Sequence, residues 1–187
     1  MITPLPDDMR MVYGLQPVRE AIRAHGDKNA RALVDVSSKP LEALARFARD
    51  QGIKVETVSR ARLDKETKGG MHQGAILFAP QLRLLAVEEI DPTLVVALDG
   101  IEDPQNFGAV IRSSVALGAT CVLWPEHHSA PLSPATFRAS AGAIEHAQLC
   151  RVAALPTALE FLRARGASIL GLDMEGEREL ADRKSVV

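Results

Sequence analysis

Aromatic residues make up only 4% of the 187 residues, with one Trp and one Tyr, so the core must be built from Leu, Val, Ile and Ala. Cysteine is nearly absent. Cys121 and Cys150 stand in apolar, β-like runs; two cysteines make no disulfide framework and read as buried free thiols. No apolar run approaches the roughly 20 residues of a bilayer span. The N-terminus, with Pro4, Pro6, Asp7 and Asp8, lacks the apolar stretch behind a basic start that marks a secretory signal. A reducing cytoplasm is the expected location. No Gly-x-Gly-x-x-Gly follows any strand-like run, which weakens a dinucleotide-binding reading. His127-His128 is the one tempting metal pair, but adjacent side chains point apart and no Cys, Asp or His partners stand at ligand spacing, so no metal is expected. Internal repeats and low-complexity tracts are missing too.

A strong net charge is also lacking: the formal value is −2. The charge is unevenly spread. Residues 1–80 carry 13 Lys/Arg against 10 Asp/Glu, whereas residues 81–187 carry 9 against 14, so the first part is the better candidate for meeting a polyanion.

What is present is an ordinary globular balance, 47% apolar and 25% charged, enough to bury a core. Residues 1–9 read as a disordered lead-in. Helices are predicted over 16–24, with Pro17 in the first turn, over 40–51, where Leu41, Leu44, Ala45 and Ala48 recur at helical spacing, and from Ser59 through Lys65. Strands are predicted over 32–36, 53–58 and 75–79. The segment 80–92, bounded by prolines and rich in Glu88, Glu89 and Asp91, reads as a linker with a short edge strand at 82–85. A second alternation follows: a strand at 94–98, apolar enough to be buried on both faces, a helix over 106–117, strands at 120–124 and 147–152, a helix capped by Ser133, a helix over 156–164, and a strand at 168–172. Val186 and Val187 look like the start of another strand. Strands alternating with helices make this an α/β chain.

The chemistry-bearing segment is the loop from Asp99 to Asn106 and the helix after it. Loops leaving the C-terminal ends of parallel strands hold the sites of α/β proteins, and a helix N-terminus suits a phosphate. Arg112 lies one edge off the buried stripe of this helix and is expected to point back beside Asn106, offering a fork of donors that fits a phosphodiester. Taken singly, Asn106 reads as an N-cap and Arg112 as a solvated charge. Glu102 and Asp103 read as solvated or helix-capping groups rather than an acid/base pair.

The whole string Asp103-Pro104-Gln105-Asn106-Phe107-Gly108-Ala109-Val110-Ile111-Arg112 resembles the first motif of the SpoU/TrmH RNA methyltransferases. Val12-Tyr13-Gly14-Leu15-Gln16-Pro17-Val18-Arg19-Glu20-Ala21, His72-Gln73-Gly74 and Ser140-Ala141-Gly142-Ala143-Ile144-Glu145-His146 extend the likeness over residues 10–183. The opening is closest to the branch that methylates ribosomal-RNA guanosine 2′-oxygens.

The resemblance implies an S-adenosylmethionine-dependent methyltransferase acting on a ribose 2′-OH, in ribosomal RNA rather than transfer RNA, and working as a homodimer. It implies two domains. Residues 10–80 would be a small ribosomal-protein-like (L30e-like) RNA-binding domain, 81–92 a linker, and 93–187 a parallel-sheet methyltransferase domain of the knotted SPOUT class. Asn106 and Arg112 would be catalytic. His72, Gln73, Arg112 and Arg138 would touch RNA, and Leu172, Asp173 and Met174 would wall the cofactor pocket. The Gly-x-Glu-Gly and Ser-Leu-Asn motifs that follow in the family, and that complete the pocket and the knot, are not found before Val187. The expectation is therefore a partial polypeptide that binds the cofactor weakly. A transfer-RNA methyltransferase and a non-catalytic RNA-binding protein of the same family remain the alternatives.

Overall fold

A computed structural model describes residues 6–26 and 30–172. The first half folds as β1 (Met9–Tyr13), α1 (Leu15–His25), β2 (Arg31–Val34), α2 (Lys39–Asp50), β3 (Lys54–Thr57), α3 (Arg60–Glu66) and β4 (Ala75–Pro80). Its sheet has the order β1-β4-β2-β3. The run Ala75-Ile76-Leu77-Phe78-Ala79 is buried throughout, and β4 accordingly lies inside the sheet, antiparallel to β1 and β2, while β3 joins β2 in parallel. On α2 the predicted stripe of Leu41, Leu44, Ala45 and Ala48 is the buried one.

The second half is β5 (Val95–Ala97), α4 (Pro104–Ala116), β6 (Cys121–Pro125), α5 (Pro134–Ala139), a 3-10 turn (Ala143–His146), β7 (Gln148–Val152) and α6 (Leu155–Ala164). Its three strands are parallel, in the order β5-β6-β7. Successive residues of β6 serve opposite faces. Val122 and Trp124 share a core with Phe107 and Ile111 of α4, whereas Cys121 and Leu123 join Cys150 and the α6 residues Leu155, Ala158 and Leu162. Both thiols are buried and free, and burial pushes the Cys121 thiol up to about 12. The expected α/β class with two sheets is what the chain adopts.

Four expectations need correction. The lead-in is shorter than 1–9: Pro6 accepts the Met9 N–H at 2.9 Å and β1 already starts at Met9. The predicted strand at 82–85 reduces to one bridge, Leu84 to Leu149, because Leu85 alone donates to the Leu149 carbonyl. The run 94–98 is not buried on both faces; β5 lies at the edge of the sheet formed by the described residues, its members are half-buried or exposed, and Leu94 is exposed. No strand forms at 168–172, where no ladder partner stands alongside among the described residues and Leu170 and Leu172 are exposed. The strand start expected at Val186 and Val187 lies outside the described residues.

The two halves are joined by a buried ion pair. Arg10 of β1 donates from Nη1 and Nη2 to the two carboxylate oxygens of Glu145 at 2.6 and 2.7 Å, and from Nε to the Pro80 carbonyl at 2.8 Å. Its guanidinium also stacks 5.1 Å from the Phe137 ring centre on α5. His25 Nε2 lies 2.9 Å from Glu145, and His146 Nε2 lies 3.0 Å from Glu20. Around this pair the apolar core is continuous, running from Val12, Val18 and Ile22 to Phe137 and Ile144.

Removing one partner of a buried pair typically costs about 3–5 kcal/mol, because the other charge is left stranded. Glu145→Ala is therefore expected to lower stability by that amount in urea denaturation; a loss under about 1 kcal/mol contradicts the assignment. Burial pushes the Glu145 carboxyl up, but hydrogen bonds and charge attraction from His25 and Arg10 outweigh it and hold the group below its usual 4.5. A depressed folded value means the stabilisation is present above the unfolded value and lost as pH falls through the folded one. Stability should drop below about pH 4.5, and more steeply than in Glu145→Gln, which has no charge to lose.

Candidate active site

The loop after β5 turns directly into α4, and Asp103 sets the turn. Its Oδ2 accepts the backbone N–H of Asn106 at 2.9 Å, and Pro104 occupies the first helical position, where no N–H is needed. Asp103 is thus the helix cap, and Asn106, the third residue of the helix, is not. The Asn106 side chain is exposed. Below it Phe107 and Ile111 enter the core, with the Phe107 ring meeting Trp124 edge-on at 5.5 Å.

Gly108 explains its place in the string. A Cβ there would stand 2.5 Å from the Ala139 Cβ and 2.8 Å from both the Ser140 nitrogen and the Thr136 carbonyl oxygen. Helices α4 and α5 touch backbone to backbone at this point. Arg112 follows one turn later on the same row of the helix and emerges at the seam between α4 and α5, with an exposed side chain. Arg138, half-buried, belongs to α5 itself. Among the described residues the side chains of Asn106, Arg112 and Arg138 have no hydrogen-bond or ion-pair partner. Asn106 and Arg112 are not side by side as expected: six helical residues separate them by about 9 Å of rise and roughly 120° of rotation.

The loop after β6 closes the same edge of the sheet. Ala130 donates to the Ile101 carbonyl at 2.8 Å, Ser129 Oγ to the Pro125 carbonyl at 2.7 Å and Thr136 Oγ1 to the Pro131 carbonyl at 2.7 Å. His128, in the left-handed region at φ 56°, places Nδ1 3.2 Å from Glu102 Oε1. Sequence reasoning missed this contact, because it joins residues of two different loops.

His72 and Gln73 need a different account from the one expected. His72 is 3% exposed; its Nδ1 accepts the Gly74 N–H at 3.0 Å, so Nε2 carries the proton toward Asp64, 2.9 Å away. Both ring nitrogens are occupied, which leaves none for RNA. Gln73 Oε1 accepts the Leu15 N–H at 3.0 Å and so caps α1, leaving its amide nitrogen at an exposed position. Of the expected cofactor residues, Leu172 is 81% exposed; Asp173 and Met174 lie outside the described residues.

Comparison with known proteins gives this geometry its setting. The profile of the SpoU rRNA methylase family matches residues 93–185, and that of the RNA 2′-O ribose methyltransferase substrate-binding domain matches residues 11–85. The chain belongs to the SpoU family. Among its relatives is a Mycolicibacterium vanbaalenii protein described as an uncharacterized tRNA/rRNA methyltransferase, 38% identical, with 91% of this chain aligned to 58% of that protein. A Mycobacterium ulcerans relative of the same description is 35% identical over 94% of this chain and 60% of its own length. The chain thus spans about three fifths of the length of these relatives. An AdoMet-bound rRNA methyltransferase from Sinorhizobium meliloti superposes with a TM-score of 0.66 at 25% identity, covering 84% of this chain and 59% of that one. The SpoU methyltransferase AviRb of Streptomyces viridochromogenes shares the fold, with a TM-score of 0.63, 22% identity and coverage of 85% and 59%.

Every buried side-chain nitrogen and oxygen among the described residues already has a hydrogen-bond partner, and Leu172 faces solvent, so any contact these residues make to S-adenosylmethionine would come from backbone groups or exposed side chains.

Two substitutions check the local geometry. Gly108→Ala forces α4 off α5 and is expected to cost about 1–3 kcal/mol, the usual effect of overpacking. Asp103→Ala removes the cap and should cost about 0.5–2 kcal/mol. Thermal melts measure both; an unchanged midpoint for Gly108→Ala contradicts the backbone contact.

Proposed function

We propose that this chain supplies the RNA-facing part of an S-adenosylmethionine-dependent methyltransferase acting on a ribose 2′-OH. The observation that carries the reading is α4, where the Asp103 side chain caps the N-terminus while Asn106 in the first turn and Arg112 further along the helix stay exposed, with no partner among the described residues. Methyl transfer to a ribose hydroxyl needs the weakly acidic nucleophile aligned and its developing charge stabilised. A guanidinium holds its proton too tightly to act as a base. Arg112 instead clamps the phosphodiester beside the target ribose and stabilises the forming alkoxide, the hydroxyl proton leaving to the phosphate or to water, and Asn106 orients the ribose from the first turn of the helix. Arg138 adds a second phosphate contact from α5. These are the chain's own contributions; no step is routed through the cofactor.

The wider reading follows the family. Residues 10–80 serve as the substrate-binding domain, 81–92 as the connection and 93–187 as part of the methyltransferase domain. The substrate is ribosomal RNA rather than transfer RNA, supported by the likeness of the opening string to that branch and by the rRNA methyltransferase among the structural neighbours. The enzyme works in the cytoplasm as a homodimer.

The test is transfer of a labelled methyl group from S-adenosylmethionine to ribosomal-RNA transcripts, read as alkali-resistant dinucleotides, since a 2′-O-methyl group blocks hydrolysis at that bond. Label in a base rather than at a ribose 2′-oxygen contradicts the reading. Arg112→Ala should lower turnover by about 10²–10³, as loss of an oxyanion donor does. Arg112→Lys should also fail, because an ammonium cannot reproduce the fork; near-normal turnover in that variant refutes the clamp.

A further inference from the structure

Away from the α4 loop, a groove of about 240 Å³ lies between α1 and α2, lined by Leu15, Leu44 and Phe47, which are buried or half-buried, and by the exposed Arg19, Arg23 and Ala43 at its rim. Its origin is in the helix spacing. Leu15, Arg19 and Arg23 recur every fourth residue along α1, and Pro40, Ala43, Leu44 and Phe47 form the facing stripe of α2. Ala43 is too small to fill the space between them.

We propose that this groove seats an unpaired nucleobase of the RNA substrate, with Arg19 on the adjoining phosphate. The proposal rests on the RNA-methyltransferase reading above and adds to it a second point of contact, remote from Arg112 in the chain. Three observations favour RNA over a protein partner. The lining holds two guanidiniums and no carboxylate. Arg23 is half-neutralised by Glu20, at 3.0 and 3.1 Å, but Arg19 is exposed and has no hydrogen-bond or ion-pair partner among the described residues. The volume falls below the roughly 300–1,000 Å³ of pockets for drug-sized ligands, which suits one planar ring rather than a whole cofactor. An apolar floor with one aromatic ring and a cationic wall is what single-stranded recognition uses, since every base has a π-face and every linkage a charge. A duplex hides its base faces and cannot enter.

Two variants test the groove with little risk to folding, because both positions are exposed. Arg19→Glu reverses the charge at the rim and Ala43→Glu adds a carboxylate there. The probes are a ribosomal-RNA hairpin with an unpaired loop and a fully paired duplex of equal length, measured by fluorescence anisotropy across a salt series. The unmodified chain should bind the hairpin more tightly than the duplex. Each variant should weaken hairpin binding about tenfold or more, with melting midpoints unchanged. Arg19→Lys should keep most of the affinity, and Arg19→Ala should reduce the salt slope by about one. A 4-thiouridine in the loop should crosslink to the peptide containing Leu44 and Phe47. Unchanged hairpin affinity in both glutamate variants, while Arg112→Ala weakens it, overturns the groove alone. No RNA binding by the unmodified chain overturns the underlying reading as well. A change of oligomeric state in Ala43→Glu with RNA affinity intact assigns the groove to a protein contact and refutes the proposal.

Discussion

The bidentate pair between Arg10 and Glu145 governs where the candidate site stands. Taking two charges out of water is expensive, and a buried pair offsets that cost only when its geometry is good and its remaining donors are satisfied. Here Nη1, Nη2 and Nε all have acceptors and the guanidinium lies over Phe137. The consequence is positional. Glu145 lies in the turn that follows α5, and Phe137 lies on α5, so the first strand of the chain fixes a helix formed some 125 residues later. That helix meets α4 through the bare backbone of Gly108, and Arg112 leaves α4 one turn further on. The position of the helix backbone that carries Arg112 is thereby tied to β1.

This arrangement explains which parts of the chain could be read in advance. The helices and most strands follow the period of their apolar residues, and α2 and β4 are clear because one stripe or one run is buried as predicted. The strand at 94–98 forms as β5 but is covered less than its apolar run suggests, and the run 168–172 forms no strand: apolarity reports that a segment prefers burial, but its neighbours decide whether it obtains it. The motif strings were visible as resemblance, and their physical meaning lay in contacts between them. Gln73 caps the helix that begins after Gly14, and Gly142 lies where a Cβ would meet the Glu20 Cβ at 2.6 Å. No spacing within one string reveals a contact with another. The expectation that His72 touches RNA fails for that reason, since Gly74 and Asp64 hold it, and Glu145, visible within its own string, gives no sign of its pairing with Arg10.

The distinction between spent and unspent polar groups carries the functional argument further than composition can. A net charge of −2 says little about a polyanion partner, since a cation paired within the fold contributes nothing to steering outside it. Arg10, Arg23, Arg62 and Arg83 are each matched to a carboxylate. Among the described residues Arg19, Arg112 and Arg138 have no such partner, as is true of several other surface arginines. A guanidinium that folding leaves unmatched keeps its full capacity for a phosphodiester, and it loses little on binding because no internal partner must first be released. Selection of a ribose within a flexible RNA also requires more than one point of contact, since a single clamp fixes a phosphate but leaves rotation about it free. A second seat for a neighbouring base removes that freedom and makes the attack at one 2′-oxygen effectively unimolecular. The buried network joins β1 to α5 and so holds the two halves in one arrangement; on the proposed reading, that arrangement would set the spacing between the base seat and the phosphate clamp.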